Sequence, residues 1–113
     1  MSLAHPLPLP LVEQIAGRFR ALGEPMRIRL VDRLRDGEAS VQELTDALGT
    51  TQQNVSRHLA VLHSAGVLSR RREGTRTLYA IADDSVFQLC ETVCGGLRRR
   101  VAELDELLAE AVR

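Results

Sequence analysis

A chain of 113 residues with 44% hydrophobic content holds apolar material for one core and little room for a second. No stretch approaches the roughly 20 uninterrupted apolar residues that span a bilayer. Residues 1–10 lack the basic leader, apolar run and small-residue cleavage site of a secretory signal, so a cytoplasmic protein is expected.

The formal net charge of zero argues against a uniformly cationic surface, but charge is segregated along the chain. Residues 51–82 carry five arginines against one acid, Glu73, whereas residues 83–113 carry four arginines against seven acids. Every basic side chain other than histidine is Arg, a usage that a high-GC genome produces and that also supplies planar forks suited to phosphate and guanine. Phe19, Tyr79 and Phe87 are the aromatic residues, so the core must come from Leu, Val, Ile and Ala, which suit packed helices. Two cysteines in a reducing compartment are expected as free thiols.

The three prolines of residues 5–10 remove donors and restrict their neighbours, which predicts a loose arm over residues 1–10 and one domain over 11–113. Ile15, Phe19 and Leu22 fall at helical spacing and define a first helix ended by Gly23. Pro25 opens a second, with Ile28, Val31 and Leu34 as its expected buried stripe. Ser40-Val41-Gln42-Glu43 is a capping box, and Val41, Leu44 and Leu48 form the stripe of a third helix closed by Gly49. Thr51 caps a fourth, with Val55, Leu59 and Leu62 inward and an end near Ala65-Gly66.

The period then changes. Residues 67–72 and 75–81 hold β-branched and aromatic side chains around Glu73-Gly74, the pattern of a hairpin. Asp83, Asp84 and Ser85 offer caps to a last helix over about 83–111, with Val86, Leu89, Val93, Leu97, Val101, Leu104, Leu108 and Ala111 at helical spacing. Its own small domain cannot cover so long a stripe, so a partner helix and a homodimer are expected, with Gly95-Gly96 marking a kink or a close helix contact. The fold class is therefore mainly α with a small β-hairpin: a winged helix-turn-helix of order α-α-α-α-β-β-α.

Residues 19–30 (FRALGEPMRIRL) and 47–62 (ALGTTQQNVSRHLAVL), followed by Ala65-Gly66-Val67-Leu68, residues 72–76 and Tyr79, resemble the ArsR/SmtB family of winged-helix repressors over about residues 15–82. The resemblance implies dimers paired through the first and last helices, a fourth helix in the major groove, and a wing beside it. It also implies where metal sensors of the family bind: a Cys-x-Cys pair at the start of the third helix, and a second site spanning the last helix. The aligned residues here are Ser40 and Gln42 for the first, and Asp83, Ser85, Gly96 and Arg99 for the second. One carboxylate cannot compete for zinc or nickel, so neither metal nor another cofactor is expected at these places.

Thr51, Gln52, Gln53, Asn54, Ser56, Arg57 and His58 occupy the first turns of the fourth helix, where amides can pair with adenine and arginine with guanine; His58 reads as a phosphate contact or as a structural residue. Arg70, Arg71, Arg72 and Arg76 flank the hairpin tip, so alternate members project outward where phosphates or a minor groove could meet them; Arg72 and Arg76, with Thr75 between the strands, are the expected contacts. Ile15, Phe19, Val93, Leu97, Val101, Leu104 and Leu108 are the expected dimer contacts. Cys90 and Cys94, four apart, share a face of the last helix and read either as small hydrophobes, as a redox or reactive-sulfur switch, or as a soft metal(loid) site.

No phosphate-cradling loop, nucleophile elbow or catalytic cluster is present in the sequence, so an enzyme is not expected. The expectation is a double-stranded-DNA-binding regulator, a repressor by its family resemblance. A winged-helix protein-interaction module without DNA binding is the alternative.

Overall fold

The computed structural model describes residues 2–112; Met1 and Arg113, the outer ends of the two segments expected above, lie outside the described residues. Two compact units result, one ending at Asp83 and one starting at Asp84.

In the first unit, α1 (Leu9–Leu22) begins inside the expected arm. Pro8 takes the cap position and Pro10 falls within the first turn, where a missing N–H has no intrahelical acceptor to lose. Gly23 closes α1 and Glu24 opens α2 (Pro25–Arg33), its carboxylate accepting from Met26 N at 2.9 Å and Arg27 N at 3.3 Å. This acidic cap satisfies two orphan donors at a helix end where a negative charge is favoured. The expected α2 stripe needs one correction: Ile28 is 45% exposed, and Leu30 takes the buried place beside Val31 and Leu34. At 100° per residue Ile28 falls outside the arc those three define.

A single 3-10 turn (Leu34–Asp36) leads to β1 (Ala39–Ser40), a strand too short for periodicity to reveal. It pairs antiparallel with β3, which makes the expected two-stranded hairpin a three-stranded sheet of order β1-β3-β2. Ser40 then caps α3 (Val41–Leu48) through the reciprocal bonds expected of a capping box: Glu43 N to Ser40 Oγ at 3.1 Å, and Ser40 N to Glu43 Oε1 at 3.0 Å. Gly49 ends α3 at φ 65°, a left-handed conformation open to glycine at little steric cost, and the chain enters α4 (Gln52–Ser64) within three residues.

Strands β2 (Leu68–Glu73) and β3 (Arg76–Ile81) form the wing, with Gly74 at φ 63° in the two-residue turn. Leu30, Val31, Leu44, Val55, Leu59, Leu62 and Val67 are all but sealed from solvent and make one aliphatic core with Leu34, Ala39, Leu78 and Tyr79 at its edges.

The second unit is one helix, α5 (Ser85–Ala111), which runs on through Gly95-Gly96. Asp84 occupies its cap position without a side-chain cap bond. No helix of the described residues is long and apolar enough to cross a membrane.

Candidate nucleic-acid interface

The buried face of α4 fixes what its other face can present. Val55, Leu59 and Leu62 recur at helical spacing and are fully buried, leaving Gln53, Ser56, Arg57 and Ala60 as the outward stripe. Thr51 caps the helix by accepting from Asn54 N at 3.1 Å. Gln52 and Asn54 flank the outward stripe and are tied locally: Gln52 Nε2 donates to Gln42 Oε1 at 2.6 Å, and Asn54 Nδ2 to Thr50 Oγ1 at 3.2 Å. Asn54 Oδ1 in turn accepts from Arg57 Nη2 at 2.7 Å, which steers the guanidinium along the exposed face. The helix therefore offers three amides, a hydroxyl and a guanidinium in its first two turns, the donor and acceptor set that base edges answer.

His58, expected either as a phosphate contact or as a structural residue, is 5% exposed and turned toward α2, which takes it off the outward stripe. Its Nδ1 lies 3.2 Å from Arg27 Nη1 and 3.7 Å from Glu24 Oε2. Arg27 also donates through Nε to the Ala21 carbonyl at 2.6 Å and through Nη2 to the Arg20 carbonyl at 3.1 Å. One side chain thereby satisfies two carbonyls at the end of α1 and docks them to α4. Burial pushes the His58 pKa down, Glu24 opposes that shift, and the nearby Arg57 and Arg27 charges add to it. Sequence spacing did not reveal this junction, because its three side chains sit on two helices 31 residues apart or more at their contact.

In the wing, the register sorts the arginines by face. Arg70 pairs opposite Tyr79 and Arg72 opposite Thr77 on one face; Arg71 lies opposite Leu78 and Glu73 opposite Arg76 on the other. Arg71 is held by Glu38, at 3.0 Å and 2.5 Å, and by Glu73 at 2.9 Å. These bonds lower the Glu38 pKa and raise that of Arg71. Arg76 Nη1 lies 3.6 Å from Glu43 Oε1, the same oxygen that caps Ser40. Thr75 is exposed in the turn, as is Arg72 beside it on β2. Alternation along the strand says that Arg70 and Arg72 share one face and Arg71 the other, but a run of three arginines does not say which acids lie across the sheet.

The residues aligned with the family's metal positions have structural work. Ser40 caps α3, Gln42 Nε2 donates to Asp46 at 2.8 Å, and Asp83 pairs with Arg18. Among the described residues no group of three or more His, Cys, Asp or Glu side chains is placed to hold a metal ion.

On α5, Val93, Leu97, Val101, Leu104 and Leu108 are all exposed, Leu97 at 62%. Cys90 and Cys94 are free and exposed, and helical spacing sets them on the same stripe as Leu97 and Val101. On α1, Phe19 is 53% exposed and Ile15 half-buried.

The helix-turn-helix domain family matches residues 22–71. The chain is 41% identical over 78 residues to the HTH-type transcriptional repressor SmtB of Mycobacterium tuberculosis, a match covering 69% of this chain and 58% of that repressor. With another HTH-type transcriptional regulator of the same species it shares 36% identity over 105 residues, 88% of this chain and 92% of that one. In structure it is similar to the homodimeric winged helix-turn-helix DNA-binding domain of a possible ArsR-family transcriptional regulator from Mycobacterium bovis, with a TM-score of 0.73 and 32% identity over 87% of this chain and 91% of that one. The chain belongs to the ArsR/SmtB family. As a member of that family it has the winged helix-turn-helix architecture, with α3 and α4 as the helix-turn-helix and β2–β3 as the wing. Its named relatives are transcriptional regulators.

Proposed function

We propose that this ArsR/SmtB member is a sequence-specific transcriptional repressor that binds a two-fold related operator as a homodimer in the bacterial cytoplasm, without catalysis. The observation that carries the reading is the outward stripe of α4: polar side chains able to read bases, on a helix anchored behind by Val55, Leu59 and Leu62. Gln53, Ser56 and Arg57 read base edges, and Thr51, Gln52 and Asn54 set the start of the helix against the backbone. The exposed apolar residues of α1 and α5 join two copies, so that paired α4 helices meet half-sites about one helical turn apart.

Fluorescence anisotropy with duplex DNA from upstream of the protein's own gene tests this. Saturable binding that weakens steeply with salt, and weakens again in Arg57→Ala, is expected. Salt-insensitive association, or binding unaltered by Arg57→Ala, would favour a protein-interaction module instead.

A second reading adds a signal. Two free, exposed thiols on one face of α5 support control by oxidation or by a soft metal(loid), because chemistry at a dimer seam can change the angle between the DNA-reading units. If the Cys90→Ser/Cys94→Ser protein releases DNA under the same oxidant or metal as the parent, this reading fails.

A further inference from the structure

Charge on the wing is divided between its faces in a way that composition conceals. On one face, Arg71 is gripped by Glu38 and Glu73, and Arg76 lies against Glu43. Those carboxylates come from three places: the segment before β1, the tip of β2 and the first turn of α3. On the other face, Arg70 and Arg72 have no hydrogen bond or ion pair among the described residues. They line a shallow cleft of about 440 Å³ with Thr77 and Tyr79, into which the Arg71 stem also reaches.

We propose that the wing meets the DNA backbone through this face alone, with Arg70 and Arg72 as its phosphate contacts, while Glu38 and Glu43 keep the arginines of the opposite face from adding unspecific affinity. The inference rests on the DNA-binding reading above and deepens it by naming which wing residues touch the duplex. Alternation along β2 separates the two faces, so the phosphates that Arg70 and Arg72 meet are not the ones that Arg71 and Arg76 would reach if freed. A guanidinium already shared between two carboxylates must break those bonds before it can gain a phosphate, whereas an unpaired one only sheds water. The opposite face is also close to neutral, with three acids against two arginines, and offers a phosphate little net attraction.

Function follows from the balance between affinity and specificity. Each phosphate contact strengthens binding to every sequence alike and steepens its salt dependence by about one unit. A wing with all its arginines free would hold the protein on random DNA, and pairing half of them with acids restrains that background while leaving α4 to choose the site.

The experiment measures log Kd against log salt for the full chain on its own upstream duplex and on a random duplex. Arg70→Gln/Arg72→Gln is expected to lower the slope by about two per protomer, about four for the bound dimer, on both duplexes, and Arg71→Gln to leave it unchanged. Glu38→Gln/Glu43→Gln is expected to raise the slope by about one per protomer and to tighten random binding, since it frees Arg76 fully and Arg71 in part. Glutamine at position 43 still serves a capping box, and a thermal melt confirms that each variant is folded. A slope lowered as much by Arg71→Gln as by the double variant, or unmoved by Glu38→Gln/Glu43→Gln, overturns the inference while DNA binding itself stands. A parent protein with no salt-dependent binding overturns both.

Discussion

Helices α4 and α5 are both amphipathic, and they use the property in opposite senses. The apolar face of α4 is covered by its own unit, with Val55, Leu59 and Leu62 sealed, and its first two turns leave polar side chains to solvent: Gln53, Ser56 and Arg57. Helix α5 leaves an apolar stripe to solvent, from Val93 through Leu108, beside its charged side chains, in a unit that contains no second element. A side exposed and polar asks for a polar partner; one exposed and leucine-rich asks for another protein surface. A helix of 27 residues also gains most of its stability from packing rather than propensity, which makes an unaccompanied α5 the poorer description of the working molecule.

The contrast can be broken most severely from inside. Leu59→Ala should cost about 2–5 kcal/mol, as removal of a fully buried leucine does, and lower the midpoint of thermal unfolding by roughly 10 °C or more. Leu97→Glu attacks the other helix. It should leave the circular dichroism of the first unit intact but weaken self-association more than about tenfold by placing an unpaired charge in the seam, a shift that sedimentation velocity would register. If Leu97→Glu leaves the sedimentation coefficient unchanged, the α5 stripe is not the seam.

Arg57→Ala sharpens the comparison from the polar side. It should cost about 1–3 kcal/mol of operator affinity while altering stability by no more than about 0.5 kcal/mol, since the side chain is exposed. Ser40→Ala, which removes one half of the capping box, should destabilise by about 1 kcal/mol in urea titrations without touching dimerisation.

The smallest effect concerns pH. His58 has a folded-state pKa below its unfolded value, because burial disfavours the imidazolium. The unfolded chain therefore takes up a proton that the folded one resists, and stability from this group is full above the unfolded value of about 6.5 and declines as pH falls through it. Urea unfolding between pH 8 and 5 should show a decline that is shallower in His58→Gln. Equal pH dependence in both proteins would mean that His58 does not titrate across this range.

How much of this was legible follows from the range of each interaction. The helices, the capping box and the wing rest on residues within a turn or a hairpin of each other, so Ser40-x-x-Glu43, Gly49 and Glu73-Gly74 announced themselves. Strand β1 did not, because two residues carry no period and Ala39-Ser40 becomes a strand only by pairing with Leu78 and Tyr79. Nor did the inward turn of His58, whose reason is Arg27 on another helix, or the pairing of Arg71 with Glu38 from 33 positions away. Where polar side chains meet across elements, spacing is silent and the fold decides which of them remain free for a ligand.

Hydroxyl-radical footprinting of the protein on its own upstream duplex would test the central claim most directly, that paired chains present two α4 stripes to one double helix. The expected result is two related protected tracts centred about one helical turn apart, roughly 34–36 Å, both lost in Leu97→Glu at concentrations where the parent protects. A single tract, or protection that Leu97→Glu leaves unchanged, would contradict it.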